Sequence, residues 1–172
     1  MSEAGYDADL KSVAEIGMRV RIPPSALCFY KGEYIMNLTD IEKGYIAGII
    51  DGEGSICLTK QKANEFRSPT ITVASTTYEL VTYLQRLIGG SISNKKIYKE
   101  NHKPSFQWNI KTNKTIELLT EIKDFLLVPE KQYRANLIVN EYKKVTSRNG
   151  KYTEEKLQLK KDFEKRFFDF NS

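Results

Sequence analysis

Residues 45–55 read Tyr-Ile-Ala-Gly-Ile-Ile-Asp-Gly-Glu-Gly-Ser, and two features of this stretch are unusual. Gly44 and Gly48 stand four apart with Ala47 beside them, at a spacing that puts them on one side of a helix. Each glycine costs a helix interior roughly 1 kcal/mol relative to alanine. Small residues on one helical face let another backbone come close, either inside the chain's own core or from a second molecule. The second feature is the pair Asp51 and Glu53, set among glycines and apolar residues at the helix's C-terminal end. The peptide dipoles make that end negative and disfavour carboxylates there. Such acids can satisfy backbone donors in a turn. They can equally hold a hard cation, since Mg²⁺ takes few carboxylates together with phosphate oxygens. Spacing alone leaves both open.

The flanking sequence extends the pattern. Thr39-Asp40-Ile41-Glu42 has the form of a capping box, so a helix is expected from Asp40 to about Asp51. Gly52 and Gly54 end it, and a strand over Ser55–Lys60 follows. The polar residues 61–69 read as a loop, and the alternation in Thr70–Ser75 as a second strand. Leu80, Val81, Leu84, Leu87 and Ile88 recur at helical spacing, giving a helix over Tyr78–Ile88 that stops at Gly89-Gly90. Ser91–Tyr98 and Phe106–Lys111 form a second strand pair. Helices are expected over Asn113–Leu127, with Ile116, Leu119, Ile122 and Leu126 inward, over Glu130–Ser147, and over Thr153–Phe168. Two hairpins separated by helices define an α+β fold with an antiparallel sheet.

Composition narrows the class. The 172 residues are 40% hydrophobic and 28% charged, which suits one domain with a proper core. No run of about 18 apolar residues is present to cross a membrane. Cys28 and Cys57 are the only cysteines, too few for a disulfide framework or a thiolate zinc site, and a reducing compartment is expected: cytoplasm, or an organelle in a eukaryote. Residues 1–35 lack a sustained period, contain Pro23-Pro24 and carry a charge of −1 (Lys11, Arg19, Arg21 and Lys31 against Glu3, Asp7, Asp9, Glu15 and Glu33). The whole chain carries +5, so residues 36–172 carry +6 and hold the basic character. Residues 1–35 are therefore read as a leader and 36–172 as the domain. Val20-Arg21-Ile22 is what the bases GTT-CGA-ATC encode, which resemble the T-loop of a tRNA gene. The leader is thus either read-through from such a gene, with the start at Met36, or an ordinary N-terminal arm.

The stretch Ile46-Ala47-Gly48-Ile49-Ile50-Asp51-Gly52-Glu53-Gly54 resembles, position by position, the LAGLIDADG signature of homing endonucleases. The resemblance continues through most of residues 37–147, in ITVASTTYELVTYLQRLIGG, in Trp108 on a strand, and in KQYRANLIVNEY. It implies an αββαββα unit with a saddle-shaped sheet and C-terminal helices, which cuts double-stranded DNA with Mg²⁺ or another divalent cation. It implies that signature helices pack across a two-fold axis, with Gly44, Ala47, Gly48 and Asp51 at that interface. It implies that Glu53 binds the catalytic metal, with Glu where the founding motif has Asp. Lys131 matches a lysine near the active site, and Ser75 stands where the family has a water-orienting amide. His102, beside Lys103, reads as a solvated residue.

One signature supplies one metal-binding acid, so a homodimer on a near-palindromic target is expected. Alternation assigns the sheet faces. With Ile56, Leu58, Ile71, Val73, Ile92, Phe106, Trp108 and Ile110 in the core, the other face carries Cys57, Thr59, Gln61, Thr70, Thr72, Ser93, Lys95, Gln107, Asn109 and Lys111. Those amide, hydroxyl and ammonium groups are what base-edge recognition uses. A merely solvated sheet face has the same composition. Two other readings use the same fold: an intron maturase that binds intron RNA, and a DNA-binding protein without catalysis. Retention of Glu53 favours the nuclease.

Overall fold

Thr39 starts the first helix, and both halves of its capping box form. The Thr39 side chain accepts from the Glu42 amide, and the Glu42 carboxylate accepts from the Thr39 amide and hydroxyl, each at 2.7 Å. This computed structural model of the protein describes residues 28–30, 33–36, 38–60, 62, 65–95, 104–147 and 150–170. Gln61, His102, Lys103 and the Arg19–Pro23 segment lie outside them. Within the expected leader, strands β1 (Cys28–Tyr30) and β2 (Glu33–Ile35) pair antiparallel.

The helix begun at Thr39 is α1 (Asp40–Glu53), two residues longer than expected, so both signature acids are helical. It passes directly into β3 (Gly54–Thr59), which pairs with β4 (Ser68–Ser75). After α2 (Tyr78–Ile88) come β5 (Ser91–Asn94) and β6 (Phe106–Lys111). The strands form one antiparallel sheet in the order β3-β4-β6-β5. The α2 exit is built on Gly89 and Gly90, both at positive φ. A Cβ on Gly90 would meet the Asn109 carbonyl oxygen at 2.6 Å, and the buried Trp108 indole donates to the Gly89 carbonyl at 2.8 Å.

The chain continues through α3 (Asn113–Ile122), α4 (Pro129–Val145) and α5 (Glu154–Phe168). The expected helix Asn113–Leu127 is shorter: its last turn tightens to a 3₁₀ turn, Lys123–Phe125, and Leu126 is extended. Pro129 keeps Val128 extended, and its fixed φ suits the first turn of α4. β5 ends at Asn94, and residues 96–98 of the expected strand lie outside the described residues.

One face of the sheet packs on the helices. Ile56, Leu58, Ile71, Val73, Trp108 and Ile110 are buried there with Ile46 and Ile50 of α1, Val81 and Leu84 of α2, and Leu118 and Leu119 of α3. Ile92 and Phe106, expected in the core, are only half-buried, because they sit on the edge strand and at a strand end. Phe163 and Phe167 are buried on α5, which packs on α4 through rings including Phe163 against Tyr142. Lys160 is fully buried in the same joint. Its ammonium donates to the Thr146 hydroxyl at 3.0 Å and lies 4.0 Å from the Tyr142 ring centre. Burial pushes its pKa down to about 8. Among the described residues, no helix is long and apolar enough to cross a membrane.

Candidate metal and nucleic-acid site

The α1 C-terminus carries two acids and no basic residue in its last turn, so its exposed carbonyls need a cation from elsewhere. Lys131, in the first turn of α4, supplies it. Its ammonium donates to the carbonyls of Ile50 and Asp51 at 2.8 and 2.7 Å. One Asp51 oxygen accepts from the Leu127 amide at 2.7 Å, which ties the same helix end to the segment before α4. The other Asp51 oxygen is buried without a hydrogen-bond partner among the described residues. Glu53 is the last residue of the helix, and its exposed side chain has no hydrogen bond or ion pair among the described residues. Lys131 and Asp51 hold the helix end, and Glu53 is left free.

This donor set suits a hard divalent cation shared with other ligands. Mg²⁺ keeps much of its water and takes one or two protein carboxylates together with phosphate oxygens. Among the described residues no group of three His, Cys, Asp or Glu side chains converges. One chain therefore offers a single free carboxylate at the site, where a pair would need a second chain. Cys57 adds nothing as a thiolate, because burial raises its pKa.

Ser75 is the last residue of β4, at the strand end where it is expected. It follows the parity of Ile71 and Val73, on the helix side of the sheet, and its hydroxyl oxygen accepts from the Thr77 amide at 3.0 Å. That bond starts the turn into α2 and leaves the hydroxyl proton free to donate.

The α1 surface also differs from the expected interface. Ala47 is 0% exposed, packed in the chain's own core. The outward stripe is Ile41, Gly44, Tyr45, Gly48 and Gly52, with Ile41 85% and Tyr45 53% exposed. Among the described residues, a Cβ on Gly48 or Gly52 would meet nothing within 4 Å, and one on Gly44 only Phe125 at 3.9 Å. Nothing within the described chain requires these glycines. Asp51, also expected at the interface, is half-buried and turned to Leu127.

On the opposite sheet face the register aligns side chains in rows across the strands. Ser55, Thr72, Asn109 and Ser91 form one, Cys57, Thr70 and Lys111 another, and Ala74, Gln107 and Ser93 a third. Thr72, Gln107 and Asn109 are half-buried, and Ser93, Lys95 and Lys111 are exposed. Thr70 is a correction: it is 3% exposed, and its hydroxyl pairs with that of Thr59 at 2.7 Å. It braces the strand pair and presents nothing outward. Ser55 and Ser91 are exposed on this face but absent from the expected set. The alternation that selects Cys57 and Ser93 reaches both serines when counted back two residues.

No family model matches the chain, and no curated protein does. Solved structures do. I-LtrWI, a LAGLIDADG homing endonuclease bound to target DNA, superposes with a TM-score of 0.53 at 17% identity, over 91% of this chain and 56% of that one. I-GzeII, a LAGLIDADG homing endonuclease in complex with its DNA target, gives 0.52 at 18% identity, over 70% and 42%. I-SmaMI, bound to an uncleaved DNA target in the presence of calcium ions, gives 0.51 at 19% identity, over 74% and 45%. The chain thus matches about half the length of each. With the signature at the α1–β3 junction and the αββαββα order, the chain has the fold of the LAGLIDADG homing endonucleases.

Proposed function

We propose that the protein is a metal-dependent, site-specific DNA endonuclease that acts as a homodimer on a long, near-palindromic target, in the setting of intron homing. The observation that carries this reading is Glu53: an exposed carboxylate without a partner, on a helix end that Lys131 and Asp51 hold in place. Beside it runs a glycine stripe with nothing among the described residues within 4 Å above Gly48 and Gly52. Two copies meeting on that stripe would bring two Glu53 carboxylates together, each near the mouth of its own sheet face. That pair fits Mg²⁺ or another divalent cation. When bound between carboxylates and phosphates, such an ion supplies an activated water and neutralises charge on the leaving oxygen.

The chain's own residues do the rest. Lys131 neutralises the helix end and fixes where Glu53 stands. Lys95 and Lys111 attract the phosphate backbone, and Thr72, Gln107, Asn109 and the serines of the sheet face offer donors and acceptors to base edges. Ser75 accepts from the Thr77 amide and keeps its hydroxyl proton for orienting water.

The test is selection from a randomised duplex library. Protein and library are incubated with Mg²⁺, and the cleaved ends are sequenced. The expected product is a single near-palindromic consensus cut on both strands. No cleavage at any Mg²⁺ concentration, together with tight binding to structured intron RNA, would replace this reading with the maturase.

A further inference from the structure

The outer end of the β3–β4 ribbon is gripped by the C-terminal helix. One Glu164 oxygen accepts from the Arg67 backbone amide at 3.1 Å, and the other from the Arg67 guanidinium at 3.0 Å. A single carboxylate therefore holds both the main chain and the side chain of the residue that leads into β4. The Glu164 side chain is only 15% exposed, so the pair is shielded more than an ordinary surface salt bridge. The guanidinium also lies 5.2 Å from the centre of the Phe168 ring, and the neighbouring Phe66 packs on Tyr152 at 4.7 Å between ring centres.

The helix that makes these contacts is itself fixed to the site. Phe163 and Phe167 of α5 are buried, the latter 5.0 Å beneath the Arg134 guanidinium of α4, and Arg166 is paired with Glu141 of α4. The first turn of α4 carries Lys131, which caps the signature helix. A continuous frame runs from Glu53's helix end through α4 and α5 to Arg67. The β3 strand runs between the same two points. Its six residues from Gly54 to Thr59 span about 20 Å, equivalent to about six base pairs at the rise of B-DNA.

We propose that Glu164 is a positioning residue for target recognition: by gripping Arg67 it sets the distance and angle of the outer β3–β4 ribbon relative to the cleavage centre, and so tunes discrimination among base pairs about six from the cut. This rests on the DNA-cleaving reading above. Glu164 touches no base itself. Its effect is confined to the outer part of each half-site, because the inner rows, such as Ser55–Thr72–Asn109–Ser91, are held by strand pairing.

The experiment uses the full chain and two variants. Glu164→Gln keeps an oxygen to accept from the Arg67 amide but removes the charge; Arg67→Met removes the guanidinium and keeps the amide. In the DNA-free protein, hydrogen exchange is followed at the amides of residues 65–68, with thermal melting as the folding control. Both variants should melt as folded proteins, with exchange at these amides accelerated about tenfold. Cleavage is then measured with Mg²⁺ on the parent's selected duplex and on a panel of its single base-pair substitutions. The variants should cut the unsubstituted duplex within about twofold of the parent at saturating enzyme, while discrimination at the outer positions falls about tenfold and inner positions keep theirs. Unchanged discrimination at the outer positions, or a loss spread evenly over the site, would overturn the role in recognition. Unaltered exchange at residues 65–68 would overturn the strut itself. A parent that cuts no duplex defeats the endonuclease reading instead, and the exchange measurement still decides whether Glu164 holds the ribbon.

Discussion

A methyl group on Gly54 would meet the Ile50 Cα at 2.7 Å and its carbonyl oxygen at 2.9 Å, both backbone atoms that cannot swing aside. The chain leaves α1 and enters β3 at this residue, so a side chain there must displace the helix end that carries Glu53. Gly54→Ala should lower unfolding free energy by about 1–3 kcal/mol in denaturant melts of the DNA-free protein. Lys160 gives a second prediction. Its folded-state pKa of about 8 lies below the ordinary 10.5, so the unfolded chain binds more protons between those values. Stability should therefore rise as pH increases from about 8 toward 10.5, and the full cost of the buried charge is present below pH 8. Lys160→Met should raise the melting temperature at pH 7 and flatten the rise above pH 8. A melting temperature that falls from pH 8 to 10 in the parent and not in the variant would contradict this sign. Neither Gly54's constraint nor the burial of Lys160 was visible in the sequence. The first depends on how tightly the helix exits, and the second on how α5 docks.

At the scale of elements, the exposed face of α1 has the spacing of a helix packed backbone to backbone, with nothing among the described residues over Gly48. Gly48→Val should leave the folded protomer intact and move the dimer–monomer midpoint on DNA to at least tenfold higher protein concentration, as read by sedimentation. A parent that remains monomeric while cutting both strands would remove the glycine stripe from assembly. What was legible here came from local signals. The capping box at Thr39, the stop at Gly89-Gly90 and the alternation of Phe106, Trp108 and Ile110 all act within a few residues, and each element stands where these put it. Ala47 was misplaced because a small residue next to Gly48 suits either side of the helix, and only packing shows that it points inward with Ile46 and Ile50. Lys131 was expected near the site, but its bonds to Ile50, 81 residues away, have no local signature. The same holds for Arg67 and Glu164, 97 residues apart. Thr70 was assigned to the open face by parity correctly, yet Thr59 covers it.

At the scale of the whole molecule, the charge of +5 and the lysines at the sheet's outer rows make a specific demand on binding. Affinity for duplex DNA should fall linearly in log–log form as salt rises, with a slope of about −0.9 per phosphate neutralised. Lys95→Ala and Lys111→Ala should each shallow that slope by about 1. An affinity independent of salt would make these lysines ordinary solvated surface.

Whether Glu53 holds the metal is decided by Mg²⁺-dependent cleavage with Glu53→Gln. The substitution keeps size and hydrogen bonding and removes the charge that a divalent cation needs. Cleavage of the selected duplex should drop by at least about a hundredfold, while affinity for that duplex and thermal stability stay at or above those of the parent, since a carboxylate leaves the negative end of a helix. A Glu53→Gln protein that cuts at the parent's rate would contradict the account.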